Sequence, residues 1–138
     1  MPDTVRRVDY FYTTVSDKPG EATRILKSLQ EAGVNLLAFS GFPHGARRAQ
    51  LDFVPQDSAA LTQAAKRAKV KLSRKKSGFL IQGDDRLGAI AQLTDRLGQA
   101  GINITAVEAV CDGSGRYGAL LWVKSKDLRR AAKALGAA

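Results

Sequence analysis

Six residues of this 138-residue chain have the chemistry to hold a zwitterion: Asp17, Gly20 and Asn35, then Asp85, Gly88 and Asn103 exactly 68 positions further on. Gly20 and Gly88 are predicted to stand where a strand hands over to a helix, where a missing side chain lets a ligand reach backbone amides at the helix's partly positive end. A carboxylate suits that place. Asp17 and Asp85, three residues earlier, can accept hydrogen bonds from an ammonium group, and Asn35 and Asn103, after the helix, offer both a donor and an acceptor. A free α-amino acid needs both of its charges satisfied, and this set fits it. Each residue also has a structural reading, in which Asp caps a helix, Gly turns the chain and Asn tidies the backbone after a helix end.

The elements that must position these residues are legible in the pattern of apolar side chains. Residues 8–15 are aromatic and β-branched and predict a strand. Residues 16–20 break it, with Ser16 or Asp17 expected to satisfy free helix amides and Pro19 preset for a first turn. Ala22, Ile25, Leu26, Leu29 and Ala32 follow at helical spacing, and Gly33 ends the helix. Residues 34–39 and 50–54 predict a hairpin about Gly41, Pro43 and Gly45. A second helix capped by Asp57 or Ser58 carries Leu61, Ala64, Ala65 and Ala68, and residues 70–72 are expected to close the order βαββαβ.

A second unit repeats this through residues 79–81, a helix near 87–100, strands near 103–110 and 117–123, and a helix near 127–135. No fourth strand follows, so its sheet edge is left open or is covered by the N-terminal segment or another chain. The match needs no gap: Leu29 falls on Leu97, Gly33 on Gly101 and Ala38 on Ala106. The expected fold is α+β, two ferredoxin-like βαββαβ sandwiches packed side by side, the second lacking its last strand, with residues 1–76 in the first unit and 77–138 in the second. Units so small are marginal alone.

Residues 17–20 with 32–36, and residues 85–88 with 100–104, resemble the two signature stretches of the ACT domain family. The likeness covers nearly the whole chain as a tandem pair, with Leu87 where the family usually has Pro. It implies a module that binds amino acids, commonly where two modules meet, and that acts as an allosteric regulatory unit. It carries ligand contact over to Asp17, Gly20 and Asn35, and to Asp85, Gly88 and Asn103. The expected function is then an amino-acid-binding regulatory protein that passes its signal to a partner protein or through the shape of a homo-oligomer.

Other residues argue against catalysis. One His and one Cys supply neither a zinc cluster nor a nucleophile with its base. No cofactor is implied, and the chain is read as a non-enzyme. His44 is expected in a solvated turn. Residues 113–118 satisfy the GxGxxG pattern, but between two strands rather than before a helix, so a hairpin turn is expected. Phe53 and Trp122 are expected in the core. Cys111 is expected as a small buried or edge residue.

No apolar run approaches the ~20 residues of a membrane helix, and residues 1–7 lack a signal-peptide core, so a cytoplasmic location is expected. The net charge of +9 is uneven, with 14 basic and 7 acidic side chains in residues 1–76 against 8 and 6 thereafter. Seven cations between positions 66 and 76 meet no acidic residue. That stretch motivates the alternative, a nucleic-acid-binding module. Against it, the third strand lacks the basic-aromatic run on which related sandwiches stack bases.

Overall fold

A computed structural model describes residues 3–137. Its elements run β1 (Thr4–Ser16), α1 (Glu21–Glu31), β2 (Leu36–Pro43), β3 (Arg48–Pro55), α2 (Ser58–Arg67), β4 (Lys76–Asp84), α3 (Ala89–Gln99), β5 (Ile104–Cys111), β6 (Arg116–Val123) and α4 (Leu128–Leu135), the last preceded by a single 3₁₀ turn at Ser125–Asp127. Among the described residues six strands and four helices make an α+β fold. Two compact units are distinguishable: one is Asp9–Lys76, and the other joins residues from Ser77 onward to those before Asp9. The expected division gave residues 1–76 to the first unit; the structure instead groups the residues before Asp9 with the second.

In the Asp9–Lys76 unit, β1 pairs antiparallel with β3 from Phe11 opposite Phe53 to Ser16 opposite Arg48. On its other side β3 pairs with β2, from Pro43 opposite Ala49 to Leu36 opposite Pro55. Alternate residues of a strand share a face, so Phe11 and Val15 of β1 join Leu51 and Phe53 of β3. Against them α1 sets Ile25 and Leu29, one turn apart, and α2 sets Leu61 and Ala64. Phe53 and Leu61 are wholly buried, each contributing about 1.5–3 kcal/mol of burial.

The closing strand expected at residues 70–72 does not form. Side-chain hydroxyls take over its ladder positions: the Tyr12 amide donates to Ser73 Oγ (2.9 Å), and Thr13 Oγ1 donates to the Lys71 carbonyl (2.8 Å). One backbone bond remains, from the Ser73 amide to the Tyr12 carbonyl (2.8 Å).

In the second unit β4 pairs antiparallel with β6, from Phe79 opposite Leu121 to Asp84 opposite Arg116, and β5 covers the other side of β6. The fourth place in this sheet is filled. Beside β4 runs β1, whose residues 4–8 belong to this unit. Val5 is buried in one cluster with Phe79, Ile81, Leu93, Leu97 and Leu121. The sheet missing a strand in the sequence is therefore completed by residues 4–8 of β1. Phe53 and Trp122 are both buried, as expected, but the repeat puts Leu121 rather than Trp122 in the place of Phe53, and Trp122 lies outside the helix-facing cluster.

A charged clamp fixes this borrowed strand. The Arg86 guanidinium donates to both carboxylate oxygens of Asp3 (3.0 Å each), to the Asp84 carbonyl (3.1 Å) and to Gln92 Oε1 (2.8 Å). Gly83 makes room for it, since any side chain there would collide with the Asp3 carboxylate and the Tyr117 ring. The guanidinium holds the Asp3 carboxyl below its ordinary range. A depressed carboxyl pKa contributes stability that is complete above its unfolded value and is lost as pH falls through the folded one.

Asp3→Asn is expected to cost about 1–2 kcal/mol, the low side of a charge-assisted pair because Arg86 remains partly exposed. Amide exchange at residues 4–8 is expected to accelerate in that variant, and in the parent chain below about pH 4. Unchanged protection at those amides would show that apolar packing around Val5 holds the strand without the clamp.

Candidate functional site

Both strand-to-helix junctions are built the same way. At the first, the Asp17 amide donates to the Arg47 carbonyl (2.9 Å) in the β2–β3 turn; at the second, the Asp85 amide donates to the Gly115 carbonyl (2.9 Å) in the β5–β6 turn. Gly20 and Gly88 are the N-cap residues of α1 and α3, with φ of 89° and 78°. Their left-handed backbone suits glycine and strains an L side chain.

This geometry corrects one expectation. Neither Asp17, Ser16 nor Asp85 caps its helix: α1 and α3 start with no side-chain cap bond at all. The contrast is α2, where Asp57 in extended backbone accepts from the amides of Ala59 (3.0 Å) and Ala60 (3.2 Å). The Glu21 and Ala89 amides donate at 3.4 Å to the Lys18 and Arg86 carbonyls, and no side chain caps the amides that follow them in the first turns of α1 and α3.

Asn35 and Asn103 lie elsewhere. β3 runs from Arg48, beside the Asp17 loop, to Pro55, opposite Leu36, about 23 Å at ~3.3 Å per residue. Asn35 stands at the far end, with its Nδ2 donating to Gln56 Oε1 (3.1 Å) and its carbonyl accepting from the Gln56 amide (3.0 Å). Asn103 is likewise at the Val123 end of β6, whereas Asp85 follows the Arg116 end. Each unit thus brings its Asp and Gly together and keeps its Asn apart from them.

Beside the second junction is a cavity of about 250 Å³. Asp85, Arg86 and Gly88 line it from the loop, Ala89 and Ile90 from α3, Val110 and Cys111 from β5, and Tyr117 from β6. The Asp85 carboxylate beside Cys111 pushes the thiol pKa up. Tyr117 is buried, and no group meets its hydroxyl in hydrogen-bonding geometry. Burial first, then the nearby Asp3 carboxylate, push its pKa up to about 12. It is a neutral donor at ordinary pH.

Arg86, Val110 and Tyr117 were not read as site residues, and Cys111 was read only as a small buried or edge residue. The repeat itself carried a signal for them, because 68 residues earlier stand Lys18, Phe42, Pro43 and Ala49. The junctions share their motif and differ in their walls.

The remaining candidates are simpler. Residues 112–115 link β5 to β6, where Asp112 Oδ1 accepts from the Ser114 amide (2.8 Å), so the glycine pattern there is a hairpin turn. The His44 amide donates to the Arg48 carbonyl (2.9 Å) in the exposed β2–β3 turn. Cys111 is exposed at the end of β5. Among the described residues no group of three or more His, Cys, Asp or Glu could hold a metal ion, and no helix is long and apolar enough to cross a membrane. The seven cations between positions 66 and 76 are all exposed, and Lys76 Nζ sits 5.5 Å from the Tyr12 ring centroid.

The fold that these junctions belong to is ACT-like, shared with regulatory subunits of an amino-acid kinase. The regulatory subunit of aspartate kinase from Thermus thermophilus, in its ligand-free form, superposes with a TM-score of 0.67 over 99% of this chain and 95% of its own, at 16% identity. Protein BT0572 from Bacteroides thetaiotaomicron reaches 0.82 over 96% of this chain and 88% of its own, also at 16% identity. The corresponding Thermus flavus subunit gives 0.59 at 17% identity, over 98% of this chain and 94% of its own. No family model matches the sequence, and no curated protein matches it.

Because no atom lies within 4 Å of a Cβ built at Gly20 or at Gly88, the cost of Gly20→Ala or Gly88→Ala is set by backbone strain alone. Each is expected to lower stability by about 1–2 kcal/mol in urea unfolding. A neutral result at either position would mean that its loop relaxes out of the left-handed turn.

Proposed function

We propose that this protein is an amino-acid-binding regulatory protein built from two ferredoxin-like units, and that the loop before α3 holds the charged end of a free α-amino acid. The observation that carries this reading is the uncapped start of α3 at Gly88, set beside the Asp85 carboxylate on a small cavity. The ligand carboxylate takes the first-turn amides at the positive end of the helix. Its ammonium takes Asp85. The loop at Asp17 and Gly20 offers the same two groups with a different wall.

The likeness to regulatory subunits supports a chain that reports on a metabolite and leaves catalysis to a partner protein. Binding at the loop would act on that partner through coupling of ~1–3 kcal/mol, several-fold to about a hundredfold in affinity.

A thermal-shift screen of the twenty amino acids tests the reading directly. A ligand at 100 times its Kd adds about 2.7 kcal/mol to native stability, so at least one amino acid should raise Tm by several degrees. That shift should survive moderate salt, unlike phosphate-driven binding, and should be lost in Asp85→Ala. No shift with any of the twenty would overturn the proposal.

A further inference from the structure

Resting on the proposed amino-acid site, we infer that the cavity at the start of α3 selects a short aliphatic side chain, with Val110 as the residue that sets this preference. Two observations lead there. The first is what the walls lack. Apart from Asp85 and Arg86 the lining is uncharged, and Ala89, Ile90, Ala109 and Val110 give it an aliphatic surface.

The second is the state of the two charges. Arg86 already donates to both Asp3 oxygens, the Asp84 carbonyl and Gln92, so it has little left to offer the side-chain carboxylate of an acidic ligand. Asp85 is the one carboxylate on the lining. Once it holds the α-ammonium, the second cation of lysine or arginine meets no counter-charge on the lining. A volume of about 250 Å³ lies below the ~300 Å³ at which pockets for larger ligands begin. Valine, leucine and isoleucine fit these conditions.

Val110 is 72% exposed, so a polar residue there leaves the core intact.

Calorimetric titration of the full chain with L-valine, L-leucine, L-isoleucine, L-serine, L-aspartate and L-lysine tests the inference. One of the three aliphatic ligands should bind at least about tenfold more tightly than serine, aspartate or lysine, the discrimination expected of a few buried carbons. Val110→Asp should abolish that preference and improve lysine relative to leucine.

Tightest binding by serine, aspartate or lysine, or an aliphatic preference untouched by Val110→Asp, would overturn the inference while leaving the amino-acid site standing. Binding by none of the twenty amino acids would remove the site, and the inference with it.

Discussion

A left-handed turn at glycine governs the candidate site. Gly88 can occupy φ 78° because it has no Cβ, and this conformation swings the chain from the end of β4 into α3 without placing Asp85 over the helix amides. The Asp85 carboxylate and the helix amides are therefore not neutralised against each other, as a conventional cap would have done. The same turn at Gly20 does the same for Asp17. Everything proposed about recognition follows from donors and an acceptor that the backbone keeps apart, in contrast to α2, whose start Asp57 closes.

Around this common backbone the two junctions have diverged in their side chains. Val110 and Tyr117 flank the second cavity, where the register of the repeat gives the first unit Phe42 and Ala49. A large ring has moved from one strand to the other. Duplicated structure thus constrains the main-chain geometry at both loops, whereas the space beside each loop is set by residues free to change independently.

Much of the architecture could be read from periodicity, and the failures have physical causes. Helices α1 and α3 were visible because Ile25 and Leu29, and Leu93 and Leu97, recur at one-turn spacing and bury one face. The beginning of β1 was not. In residues 4–7 only Val5 turns inward, and the two arginines after it read as solvent-facing chain. Residues 70–72 alternate like a strand, but Thr13 and Ser73 supply hydroxyls that replace part of the backbone ladder. At the site, Asp and Gly were legible because loop and helix start are local in sequence. Tyr117 and Val110 arrive only through strand register, and Asn35 was misplaced relative to the loop because helix and strand lengths, not sequence proximity, decide which end of the sheet it reaches.

Residues 4–8 complete a sheet otherwise assembled from β4, β5 and β6, so the whole Asp9–Lys76 unit intervenes between the strands that must pair. That unit draws its strands from one continuous stretch and can collapse first. The second must instead close a loop of about seventy residues, a long-range pairing that slows folding.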